Sequence, residues 1–150
     1  MICLAVIDTN VLVSALLSSH EDAATVQVVG KLFSGEITPL FSEDILAEYN
    51  EVLRRKKFNF SEALIVTLIE AIEKYGILVK PTATGEILPD RKDLPFYEVV
   101  MEKRDDDAYL VTGNMKHFPS IPERRGSCHS FGTALWAVCV SLKASAGALI

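Results

Sequence analysis

At 150 residues the chain has the length of one ordinary domain, and with 49% hydrophobic residues it can fill a core without covalent staples. Its three cysteines, Cys3, Cys128 and Cys139, are an odd number without paired metal spacing, which argues against disulfides and zinc and for a reducing cytoplasm. A net charge of −5 argues against a broad electrostatic grip on nucleic acid, although acids gathered round a metal lower the total in the same way.

No basic region precedes a long apolar core at the start, so no signal peptide is expected. Leu4-Ala5-Val6-Ile7 is instead a short apolar run closed by Asp8-Thr9-Asn10, the pattern of a strand buried on both faces of a parallel sheet. Asp8 then stands at the carboxyl end of that strand, where open α/β sheets place their ligands, and Asn10 can cap a short helix over 11–17. A plain turn and cap is the competing reading of the same three residues.

A second helix is expected from Asp22, with Val26, Val29 and Phe33 inward and Gly35 as its stop. Residues 37–41 read as a strand whose Pro39 suits a sheet edge. Ser42 caps an amphipathic helix with Ile45, Leu46, Tyr49, Val52 and Leu53 on its inner face. A helix from about Glu62 presents Ile65, Leu68, Ile69 and Ile72, and residues 77–79 form a strand that Lys80-Pro81 ends. After a loop over 82–92, Pro95 opens a helix to about Met101; Asp105-Asp106-Asp107 reads as a solvated turn before a last strand over 108–112. The apolar run 131–142 is too short to span a bilayer. Alternating strands and helices predict one three-layer α/β/α domain, residues 1–150, around a mainly parallel sheet.

Three carboxylates are candidates for one site. Asp8 ends a buried strand. Glu48 borders the apolar face of its helix, between Ile45 and Val52, where a carboxylate needs a partner or a cation; Glu51 faces water among Ala47, Arg54 and Arg55. Asp93 starts the helix behind Pro95, either as a ligand or as an acid favoured by the helix dipole. Asp90 reads as a loop acid. Carboxylates brought together repel unless a cation lies between them, and an all-oxygen set suits Mg²⁺ or Mn²⁺.

The stretch Val6-Ile7-Asp8-Thr9-Asn10-Val11-Leu12-Val13-Ser14, followed by the run from Glu48 to Phe58, Asp90-Arg91-Lys92-Asp93-Leu94-Pro95-Phe96 and the run from Tyr109 to Phe118, resembles the PIN-domain nucleases. The likeness covers roughly residues 3–121 and is to the branch of toxin components in prokaryotic toxin–antitoxin pairs. It implies a PIN-like fold and a cytoplasmic ribonuclease that cleaves RNA with a water activated by Mg²⁺ or Mn²⁺. It also implies a homodimer and a cognate antitoxin. Carried over by position, Asp8, Glu48 and Asp93 become the catalytic and metal-binding acids. The family's fourth acid falls on Asn114, whose amide oxygen can coordinate a cation but brings no charge, so that activity could be weak. Thr9 and Thr112 fall near the site.

Basic residues for phosphates are sparse: Arg54, Arg55, Lys56 and Lys57 on one side, which also suit a helix C-terminus, and Lys116, His117, Arg124 and Arg125 on the other. A lone histidine such as His117 is more often structural. The segment 122–150, with Lys143 its one charge after Arg125, departs from the family's ending; an altered reading frame or a face for a second subunit would each explain it. Two rival readings follow. One is a catalytically impaired PIN fold that binds nucleic acid or protein; the other is a phosphohydrolase with Asp8 as nucleophile, which Thr9-Asn10 disfavours for want of a second acid.

Overall fold

The computed structural model describes residues 3–119 and 139–141. Its centre is β1 (Cys3–Ile7), the apolar run of the N-terminus, with Ala5 and Val6 fully buried. β1 pairs in parallel with β2 (Ile37–Phe41) on one side and with β4 (Tyr109–Val111) on the other, so that Ala5 stands between Pro39 and Tyr109. β3 (Ile77–Leu78) extends the sheet beyond β2, and β5 (Cys139–Ser141) joins β4 antiparallel, giving the order β3-β2-β1-β4-β5.

The chain moves outward from β1 to β2 and β3, then returns across the sheet to β4. Right-handed crossovers therefore place α1 (Thr9–Leu17), α2 (Ala24–Ser34) and α4 (Glu62–Tyr75) on one face. The reversed step places α5 (Leu94–Glu102) on the other, packed on β1, β2 and β4. α3 (Glu43–Leu53) touches α1, α4 and α5. This is a three-layer α/β/α sandwich around a mainly parallel sheet, as the alternation of elements predicts.

The helices form where their sequences dictate. Ser42 accepts from Ile45 N at 3.2 Å and Ser61 from Leu64 N at 3.2 Å, each satisfying an amide that a helix start leaves free. Glu43 and Asp44 add charge that favours the amino end of α3. Ile45, Tyr49, Val52 and Leu53 then turn inward at i, i+4, i+7 and i+8. In α4, Ile65, Leu68, Ile69 and Ile72 do the same. Gly35 ends α2 in the left-handed region, φ 84°, which glycine adopts without strain.

Three expectations are corrected. Asn10 lies inside α1 and is exposed; the helix begins two residues earlier, at Thr9, so the cap position falls to Asp8. The fully buried residues of α2, which packs on α1, β2 and α4, are Val28 and Leu32, one turn apart; Val29 is partly buried against the core as expected, while Phe33 is 44% exposed. β2 is not an edge strand. Because Val79 N donates to Phe41 O, the odd-numbered residues of β2 face β3, and Pro39 falls just before the two-residue ladder begins, where its missing N–H is harmless. Of the segment 122–150, only Cys139–Ser141 is described; Arg124, Arg125 and the expectation of a second-subunit face lie outside the described residues.

Candidate metal centre

β1 and β4 are neighbours in the sheet although the chain visits β2 and β3 between them. This is the switch point of the topology, where two adjacent crossovers leave in opposite directions and open a crevice beyond the strand ends. Asp8 and Thr112 are the first residues past those two strands. Asp8 N donates to Val111 O at 2.9 Å, and Thr112 Oγ1 donates to Asp8 Oδ2 at 2.7 Å, both residues being almost wholly buried. Asn114 N donates in turn to Thr112 Oγ1 at 3.0 Å, which fixes the hydroxyl rotor toward Asp8.

Glu48 arrives from α3. Tyr49, the next residue, is buried and donates its hydroxyl to Ile7 O, which ties the helix to the end of β1. Glu48 Oε2 accepts from Thr9 Oγ1 in the first turn of α1. Asp93 arrives from a one-turn 3-10 helix, Arg91–Asp93, that leads directly into α5. It makes no cap hydrogen bond to α5. Its Oδ2 lies 2.7 Å from His117 Nδ1 but has no aligned hydrogen bond. The three carboxylates, from parts of the chain 40 and more residues apart, line one cleft of about 200 Å³ with Thr9, Asn10, Val52, Arg55, Asp90, Lys92 and His117.

The electrostatics follow from this geometry. Burial pushes the Asp8 carboxyl above its ordinary value, against the Thr112 hydroxyl and the amides of Thr9 and Asn10. Burial also raises Glu48, and Asp8 adds to that, while Thr9 and Lys92 oppose it. Asp93 is pushed up to about 6, first by burial and then by the charge of Asp8, with His117 acting the other way. Three acids each disfavoured as anions line the one cleft, a chemistry that suits a hard divalent cation, while the group whose ligand atoms lie within 4.8 Å of one another among the described residues is Asp90, Asp93 and His117.

The structure thus brings together Asp8, Glu48 and Asp93. Asn114 and Thr112 stand behind them, Thr112 on Asp8 and Asn114 with its Nδ2 2.9 Å from His117 Nε2. Arg54 is engaged elsewhere, pairing with Glu62 at 2.8 Å and with Asn50. Lys116 is exposed and does not line the cleft. Arg55, one residue on, does line it while held to Glu51 at 3.0 Å.

Sequence reasoning set Asp90 aside as a loop acid, named Arg55 only as one of four basic residues after Glu48, gave Lys92 no role and held His117 to be more often structural than substrate-binding. Two of these had a signal. Asp90 and Asp93, like Asn114 and His117, are three apart across a 3-10 turn, whose side chains at i and i+3 eclipse.

A family model described as PIN domain matches residues 5–116. The chain belongs to the PIN-domain family. No match was found among curated proteins or among solved structures. PIN domains are generally nucleases and typically use a divalent metal, so the fold is of the nuclease type and its acidic cleft is of the kind such chemistry needs. Among the described residues no helix is long and apolar enough to cross a membrane.

Proposed function

We propose that this PIN domain is a ribonuclease dependent on Mg²⁺ or Mn²⁺, the toxin of a toxin–antitoxin pair, acting as a cytoplasmic homodimer with a cognate antitoxin. The observation that carries the enzymatic part is the meeting of Asp8, Glu48 and Asp93 in one cleft, each made a reluctant anion by burial. Asp8, Glu48 and Asp93 would hold the cation, with the amide oxygen of Asn114 as an auxiliary ligand. A divalent ion bound there supplies a water of lowered pKa and offsets charge on the scissile phosphate.

The chain's own residues prepare the site for it. Thr112 and Thr9 hold Asp8 and Glu48 through donated hydroxyl protons, so neither carboxylate must reorganise on binding. Tyr49 fixes the height of α3 against β1. Arg55 and Lys92 put two cations at the cleft, in reach of the phosphates flanking a bound strand, and offset the negative net charge locally. Val52 adds an apolar side chain to the lining.

One feature favours a second reading, a PIN fold that binds without cutting: the position of the fourth acid is Asn114, and its amide is engaged with His117. Cleavage of a labelled single-stranded RNA separates the two. The nuclease reading expects products with Mn²⁺ or Mg²⁺, none with chelator, and at least a hundredfold loss in Asp8→Asn. Cleavage by Asn114→Asp but not by the folded parent would favour the binding module.

A further inference from the structure

The segment that joins α3 to α4 carries a chemistry the acidic cleft does not have. Arg54, Arg55, Lys56 and Lys57 follow one another, and Phe58 and Phe60 come directly after them. Arg54 and Arg55 are each held by a carboxylate, Glu62 and Glu51. Lys56 and Lys57 are exposed, and neither forms an ion pair among the described residues. In a chain of net charge −5, these two adjacent cations reverse the sign locally.

The turn fixes what stands beside them. Phe58 N donates to Arg55 O at 3.1 Å and Asn59 N to Lys56 O at 3.2 Å, so the chain folds back directly after Arg55. Asn59 takes the left-handed region, φ 54°, which asparagine tolerates better than most residues, and leads through Phe60 to Ser61, the cap of α4. On either side of Asn59 the rings of Phe58 and Phe60 lie stacked, with centroids 5.5 Å apart and planes 13° from parallel. Lys57 Nζ stands 5.0 Å from the centroid of the Phe58 ring. Both rings are half-buried: part of each packs on the core, and the rest meets solvent. Sealing the core explains the packed part. The open part, an aromatic step beside cations without counter-charges, is what holds a single nucleic-acid strand, with π-faces for bases and ammonium groups for phosphates.

Continuity with the cleft says which strand. Arg55 both lines the acidic cleft and opens this turn, so a strand with a phosphate at Arg55 runs on to Lys56 and Lys57. A duplex keeps its bases stacked inside and offers none to a ring.

We infer that the α3–α4 turn is a subsite for single-stranded RNA next to the cleft, Lys56 and Lys57 holding phosphates and the Phe58–Phe60 step stacking a base. This subsite rests on the reading of the cleft as an RNA site and adds that the substrate is unpaired where it crosses the turn. Stacking accepts any base, so the turn selects strand state rather than sequence.

The test is binding of a fluorescent single-stranded RNA to the full chain in chelator, beside a strand of the same length without bases and a duplex. Phe58→Leu and Phe60→Leu keep apolar bulk over the core, and each weakens binding of the single strand by about fivefold or more. Neither changes binding of the duplex or of the baseless strand. Lys56→Ala with Lys57→Ala, at exposed positions that cannot unfold the core, weakens both single strands severalfold and flattens the salt dependence. Parental affinity in both phenylalanine variants, or an equal loss for the baseless strand, overturns the subsite and leaves the cleft standing. No binding of single-stranded RNA by the folded parent overturns it too. The expected losses without products under Mn²⁺ or Mg²⁺ keep the subsite and remove the nuclease.

Discussion

Thr112 Oγ1 donates to Asp8 Oδ2 across 2.7 Å, joining the first residues past two strands that are 104 positions apart in the chain. The bond does two things. It joins the ends of β1 and β4, and it favours the ionised form of a carboxyl that burial pushes above its ordinary value.

Thr112→Val keeps the shape and removes the donor. Asp8 then loses its hydroxyl partner and Asn114 N its acceptor. A loss of about 1–3 kcal/mol is expected at pH 7, as for a hydrogen bond to a buried charged group. Urea unfolding measures it; an unchanged midpoint would mean that the bond carries no net stability.

Raised carboxyl values make the metal-free protein pH-sensitive in a direction unusual for acids. The folded state holds protons on Asp8, Glu48 and Asp93 at pH values where the unfolded chain has lost them. Stability in chelator therefore falls as pH rises from about 4 through about 6, the value of Asp93. The loss is on the order of 1 kcal/mol or more, discounted because the cleft is open to water. Thermal unfolding at pH 5 and pH 7 should show the higher midpoint at pH 5, and Mn²⁺ at pH 7 should restore the difference. A higher chelator midpoint at pH 7 than at pH 5 would contradict the placement of these acids.

Arg54 and Arg55 follow the end of α3, and of the two only Arg55 lines the cleft. Arg55→Ala and Lys92→Ala should each weaken RNA binding severalfold and flatten its salt dependence, more than Arg54→Ala does. Binding isotherms at two salt concentrations decide this, and an equal effect of all three would place the substrate elsewhere.

Gly76 is held by a close approach. A Cβ there would lie 2.4 Å from Ile72 O and 2.6 Å from Pro39 O, both backbone atoms that cannot swing aside. Gly76→Ala should cost about 1–3 kcal/mol by overpacking, with loss at the β2–β3 junction. A variant as stable as the parent would show that α4 can shift freely at its end.

The elements most legible in the sequence were those with a strong local pattern. The unbroken apolar run of β1 and the 3.6-residue stripe of α3 were enough to place Asp8 at a strand end and Glu48 at the border of a buried face. Weak patterns misled. In α2, Val26, Val29 and Phe33 fit a helical stripe as well as Val28 and Leu32 do, and only packing against α1, β2 and α4 chooses. The start of α1 lies two residues before the expected one because Asp8 faces Thr112 and the cleft, a tertiary demand that capping preference does not encode. Arg54 and Arg55 each have an acid in reach, Glu62 across the turn and Glu51 one turn back, and their sequence context does not rank them. His117 acquires its place only when β4 and the turn before α5 meet.

The central claim is that Asp8, Glu48 and Asp93 act as one cation site. Mn²⁺ affinity, measured by the loss of the free-ion spin resonance signal in Asp8→Asn, Glu48→Gln and Asp93→Asn, tests it most directly. Each substitution should weaken the tightest Mn²⁺ site by at least tenfold while the metal-free protein stays folded. Retention of parental affinity by any one of the three would remove that residue from the site, and retention by all three would leave the cleft without a metal.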